Sequence, residues 1–200
     1  MTTLTAVIPP STTSIANKRV RKPLVTVADF EKWLSKKSTD YNYEFYYGEI
    51  IKKQPMKQNE LEIYQILLEI FMRTKAFVER GLLYAEADTP IDEFRKRIPD
   101  IAFYTKDQVR EARKTGKRAA TTFAIEILSD SESLQHIENK IQDYFDAGVL
   151  TVWYIHPKTK KIYVYTSPND VKIYHSDMIV NAQPALPDFE FPVNQLFDFE

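Results

Sequence analysis

Two short apolar stretches each carry a carboxylate where strand alternation would place a core side chain. In Ile98–Tyr104 (IPDIAFY), Ile101 and Phe103 share one face while Asp100, Ala102 and Tyr104 share the other. In Thr121–Ser129 (TTFAIEILS), Phe123, Ile125 and Ile127 face one way, and Ala124, Glu126 and Leu128 the other. An isolated carboxylate among apolar neighbours is costly unless it is paired or protonated. Two on successive strands suggest a shared partner. A divalent cation such as Mg²⁺ suits them, because hard ions take carboxylate oxygens and complete their shell with water and phosphate. An Asp at a strand end and a Glu salt-bridged to an Arg fit the pattern equally well.

The basic residues add two features. The segment after Glu126 reads as a helix to about Ala147, capped by Ser129 or Ser131 and stopped by Gly148, with Leu134, Ile137, Ile141, Tyr144 and Phe145 as its apolar stripe. Lys140 lies about 90° from the centre of that stripe on a 3.6-residue wheel. From this border its amine either reaches Glu126 or snorkels into water. Between Arg95 and Arg118 stand nine Lys or Arg against three acids, within a chain whose net charge is −1. Thr105 and Gln108 form a capping box for a helix ending at Gly116. On it, Lys106, Arg110, Arg113 and Lys114 fall on one stripe. Such a stripe suits a phosphate backbone, and suits a solvated face as well. The three His are scattered, Cys is absent, and neither a Gly-rich phosphate loop nor G-x-S-x-G occurs.

The surrounding elements describe one α/β domain. Two hundred residues, 44% apolar and 13% aromatic, can bury a sizeable core. Residues 1–24, rich in Ser, Thr and Pro, read as a flexible N-terminal arm, leaving 25–200 as the domain. Thr26 with Asp29 caps a short helix to about Lys37. Tyr43–Tyr47 and Glu49–Lys53 flank Gly48 as a hairpin. A long helix from Gln58 to Arg80 carries Leu61, Tyr64, Leu68 and Phe71 on one stripe and ends at a Gly81 cap. Strands are expected at Leu83–Ile91, Ile98–Tyr104, Thr121–Ser129, Leu150–Ile155, Ile162–Thr166 and Val171–Tyr174, with a charged turn at Asp92–Arg97. The Pro-punctuated tail should cross the sheet. No apolar run is long enough to span a bilayer, no signal peptide is visible, and a cytoplasmic location is expected.

Taken in order, YEFYYGEII, a long helix, RIPDIAFY, FAIEILS, ENKIQDYFDAGVLTVWYIHP and LPDFEFPVNQLF resemble the Uma-type restriction endonuclease family of the PD-(D/E)XK nuclease superfamily, from about Val27 to Phe197. The resemblance implies a restriction-endonuclease-like mixed β-sheet flanked by helices. It also implies a Mg²⁺-dependent DNA endonuclease, with Mn²⁺ able to substitute. Pro99–Asp100 matches the PD element and Glu126 the second acid. Leu128 stands where the general pattern has Lys, and Lys140 matches the lysine displaced onto the following helix, with Tyr144 one turn on. Glu44 matches the family's first acid, an additional metal ligand or water-holder. The His that commonly opens the long helix has no counterpart in KQNELEI. By analogy a homodimer is expected. Two other readings remain: a degenerate nuclease fold that binds DNA or protein without cutting, and a glycosidase built on the carboxylate pair.

Overall fold

The Thr26 side chain accepts the Asp29 N–H and starts helix α1 (Val27–Leu34), which buries Phe30. The computed structural model describes residues 25–37, 40–129 and 132–198, so the expected arm 1–24 lies outside the described residues. Strands β1 (Asn42–Tyr46) and β2 (Glu49–Lys53) form the expected hairpin. Its two-residue turn uses Tyr47 at φ 45° and Gly48 at φ 93°, the pair of positive angles that matches the strand twist.

The long helix is shorter than its periodicity suggests. Helix α2 (Gln58–Phe71) stops and α3 (Lys75–Val78) restarts. Thr74 causes the break: its hydroxyl donates to Phe71 O and accepts the Phe77 N–H, capping a new turn. The buried stripe of α2 is Ile63, Leu67, Ile70 and Phe71, whereas Leu61 is 45% exposed. Gly81 is not the left-handed cap; Arg80 takes that conformation at φ 71°. Glycine is needed at position 81 because a Cβ there would lie 2.9 Å from both Ala76 O and the Phe103 ring.

The expected strand Leu83–Ile91 is divided between two sheets, the end of the expected turn Asp92–Arg97 is itself a strand, and the expected strand Ile98–Tyr104 begins only at Ile101. Strands β3 (Leu82–Ala85), β4 (Thr89–Pro90), β5 (Arg95–Arg97) and β6 (Ile101–Tyr104) precede α4 (Lys106–Thr115). Glu86, at φ 48°, turns the chain out of β3. Then come β7 (Phe123–Ile127), α5 (Leu134–Asp146), β8 (Thr151–His156), β9 (Lys161–Ser167), β10 (Asp170–His175), β11 (Ile179–Ala182) and β12 (Leu186–Pro192). The cap of α5 is Ser133, not Ser129 or Ser131, and Leu134 is exposed. Ser131 itself lies outside the described residues.

The main sheet has the order β10-β9-β8-β7-β6-β3, and a smaller one runs β2-β1-β5-β4. Among the described residues only β7 and β8 pair in parallel, and α5 is the crossover this requires. Alternation sorts the main sheet as expected. Ile101, Phe103, Phe123, Ile125 and Trp153 pack against α2 and the β11–β12 hairpin. Ala124, Val152 and Tyr154 pack against Ile141 and Tyr144 of α5. The result is a mixed sheet with helices on both faces, in one domain. Among the described residues no helix is long and apolar enough to cross a membrane.

Candidate active site

The antiparallel register of β6 and β7 places Ile101 opposite Ile125, so the next step of the ladder sets Asp100 against Glu126. Asp100 is 8% and Glu126 2% exposed. Asp100 Oδ2 accepts the Ile127 N–H at 2.7 Å, and Oδ1 accepts from Lys53 Nζ at 2.6 Å. Glu126 Oε2 accepts from Lys140 Nζ at 3.1 Å, and Oε1 from the Tyr144 hydroxyl. Lys140 is thus turned inward, with its amine also 3.5 Å from Glu132.

Behind this layer lies a buried ion network. Glu44 Oε1 accepts the Ile98 N–H at 2.9 Å and Oε2 the Arg97 guanidinium at 3.1 Å. Arg97, 1% exposed, also donates to Asp143 at 2.6 Å. Asp143 in turn holds Arg95, which reaches Asp92 and Asp146. Lys140, Asp143 and Tyr144 lie three and four residues apart on α5 and so share a face. That face locks the helix to both sheets.

Electrostatics set the protonation states. Burial, reinforced by Asp100 and only partly offset by Lys140, pushes Glu126 up to about 7. Burial would raise Glu44 too, but the Lys140 and Arg97 charges and the Ile98 amide outweigh it and hold that carboxyl below its usual range. For Lys53 burial works against the charge, and Asp100 with Glu126 overcomes it, keeping the ammonium. Lys140 is raised in the same way, chiefly by Glu126 and Glu44 against burial. Burial and Glu126 raise Tyr144 well above the ordinary phenol range, so it remains a donor.

Asp100, Glu126, Lys140, Glu44 and Lys53 line one cavity of about 470 Å³, with His136 on its wall. Burial and the Lys140 and Arg97 charges lower the His136 pKa. Among the described residues no group of three or more His, Asp or Glu is gathered at metal-binding spacing. The acceptors on the floor are carboxylate oxygens, and two carboxylates completed by water and phosphate match the donor set Mg²⁺ takes. The pair therefore fits that ion in type and number.

Lys106, Arg110, Arg113 and Lys114 are placed elsewhere. Thr105 and Gln108 form the capping box of α4, and Gly116 closes it at φ 71°. All four basic side chains are exposed, and Arg110 pairs only loosely with Asp107, at 3.4 Å. The helix leaves β6 at the end away from Asp100, across roughly 13 Å for four residues at ~3.3 Å each. The stripe does not line the carboxylate cavity.

Sequence reasoning missed Lys53, Arg97, Asp143 and His136. Lys52 and Lys53 are adjacent on one strand, so one of them had to face inward. Lys52 lies over the Tyr41 ring, 3.2 Å from its centroid, and Lys53 is the inward one. Asp143 carries the helical spacing of a buried face, three residues from Lys140. Arg97 and His136 gave no local signal.

No match was found among curated proteins. Among solved structures, the chain is similar to a crystal structure described as a "putative nuclease belonging to DUF820", from Anabaena variabilis ATCC 29413. The TM-score is 0.71 at 18% identity, over 84% of this chain and 96% of that one, a likeness that shows the fold. The family model Uma2, described as "Putative restriction endonuclease", matches residues 27–194. The chain therefore belongs to the Uma2 restriction endonuclease family.

Proposed function

We propose that the chain is a Mg²⁺-dependent DNA endonuclease that hydrolyses phosphodiester bonds at the Asp100–Glu126 cavity. The observation that carries this reading is the convergence of two carboxylates from adjacent strands and a lysine from the next helix on one cavity floor. Asp100 and Glu126 would hold the ion. Glu44, whose two oxygens already accept from Arg97 and Ile98, would act as a water-holder rather than a direct ligand. When bound, Mg²⁺ supplies a water of lowered pKa and neutralises charge developing on the phosphoryl group.

The chain's own groups supply orientation and charge. Lys140, held by Glu126, would orient the attacking water in line with the leaving oxygen and stabilise negative charge in the transition state. Tyr144 fixes the Glu126 carboxylate through its hydroxyl and touches no substrate in this scheme. The exposed α4 stripe would meet the DNA backbone at a distance from the cleavage point.

The test is nicking of supercoiled plasmid by the full chain. Wild type with Mg²⁺ should nick, and EDTA, Asp100→Ala and Glu126→Gln should each abolish cleavage while DNA binding persists. Cleavage by Asp100→Ala at the wild-type rate would remove the assignment. DNA binding without any cleavage by wild type would favour a non-cutting module instead.

A further inference from the structure

The ammonium of Lys53 is the cation that Asp100 actually holds. Its Nζ lies 2.6 Å from Asp100 Oδ1, with both side chains 11% exposed. The other oxygen, Oδ2, accepts the Ile127 N–H, so both oxygens of Asp100 are already engaged and Oδ1 is the one that holds the ammonium. Lys53 also senses Glu126 electrostatically, which puts its charge within reach of both carboxylates. A second cation on the same oxygen would face strong repulsion at this depth.

We propose that Lys53 is a built-in counter-cation of the metal seat, which a divalent ion must displace from Asp100 before it can bind. This rests on the reading of Asp100 and Glu126 as metal ligands. The fold gives the displaced side chain somewhere to go. Lys53 is the last residue of β2, and Gln54, Pro55 and Lys57 beyond it line the same cavity. Lys52 cannot take over the role, because it projects to the opposite face of the strand onto Tyr41. Lys53 therefore lowers metal affinity while neutralising Asp100 in the metal-free fold.

Calorimetric titration of the full chain with Mn²⁺ tests this. Lys53→Met and Lys53→Gln should each bind Mn²⁺ at least about tenfold more tightly than wild type, because no internal cation competes. Their metal-free melting temperatures should fall, and saturating Mn²⁺ should raise them by more than it raises that of wild type. A lysine with a merely structural role would lower stability without tightening metal binding. Should the variants fail to fold, wild type alone decides through amine acetylation read by mass spectrometry. Lys53 should be modified slowly without metal and faster with Mn²⁺, and an unchanged or slower rate overturns the proposal. Equal or weaker Mn²⁺ affinity in folded variants overturns it while leaving the two-carboxylate seat standing. Absence of Mn²⁺ binding by wild type and variants alike overturns both.

Discussion

Glu126→Gln should change how stability depends on pH, and the structure sets the size of the effect. Glu126 is 2% exposed, and burial raises it from the ordinary 4.5 to about 7 in the fold. A carboxyl with a raised folded pKa favours the folded state while it carries its proton. Its contribution is full below pH 4.5, where folded and unfolded chains are both protonated. It is lost as pH rises towards 7, because the unfolded chain ionises freely and the fold does not. Each pH unit in that window is worth about 1.36 kcal/mol, so the loss totals roughly 3 kcal/mol. Lys140 stays charged throughout the window and adds no slope of its own. Glutamine at position 126 cannot ionise. Its carbonyl can still accept from Tyr144, although its amide meets the Lys140 ammonium as donor against donor. Absolute stability is therefore less informative than slope. Urea unfolding in EDTA buffer should show the variant gaining on wild type by roughly 3 kcal/mol between about pH 4.5 and pH 8. Two parallel curves would mean that Lys140 fully compensates the buried charge, and would refute the proton-linked reading of Glu126.

Four other outcomes are expected. Lys140→Ala should keep DNA affinity yet lose cleavage by about 10²-fold or more in single-turnover assays; a wild-type rate would exclude Lys140 from the chemistry. Arg97→Met strands Glu44 and Asp143 without their shared cation, so urea unfolding should show a loss of about 3–5 kcal/mol. A loss under about 1 kcal/mol would show that the network is solvated. Gly81→Ala drives a Cβ against Ala76 O and the Phe103 ring, and should destabilise by about 1–3 kcal/mol as read by denaturant midpoint. An unshifted midpoint contradicts that close approach. Changing Lys106, Arg110, Arg113 and Lys114 together to Gln should reduce the slope of log K against log salt by about 0.9 for each phosphate no longer neutralised. An identical slope marks the stripe as a solvated face.

Period-two alternation and capping chemistry are local, and they were legible. The faces of β6 and β7, the Thr26 and Thr105 caps, the Gly48 turn and the Gly116 stop all follow from neighbours within about four residues. Non-local pairing was not legible. Leu83–Ile91 looks like one strand, yet its first half joins the six-stranded sheet and Thr89–Pro90 joins the smaller one. Nothing in the local pattern marks the crossing except the unusual backbone of Glu86. The Pro-rich tail likewise gave its destination but not its hairpin, because the β11–β12 pairing shifts register between Asn181 and Ala182.

The site divides along the same line, and the division has an electrostatic consequence. Lys140 came within reach of Glu126 because a helix following a strand by a short connection folds back over it, while the choice of Lys140 over a snorkelling role and the inclusion of Tyr144 followed from the family resemblance. Lys53 and Arg97 arrive from the small sheet, whose docking on the large one depends on the whole chain. Without them the floor looks like two acids and one lysine, with no cation beside Asp100. With them, Glu44, Asp100, Glu126 and Asp143 face Lys53, Arg97 and Lys140. That set is neutral when Glu126 holds a proton and carries one negative charge when it does not, and burial, the largest influence on Glu126, pushes its pKa up to about 7. A divalent ion entering this cluster adds two positive charges to a nearly balanced group. Under the proposed metal-binding reading, loss of the Glu126 proton and movement of the Lys53 ammonium would each offset that added charge. In that reading the pH profile of Glu126 and the metal affinity of the Lys53 variants are linked, because both groups share one buried cluster with Asp100.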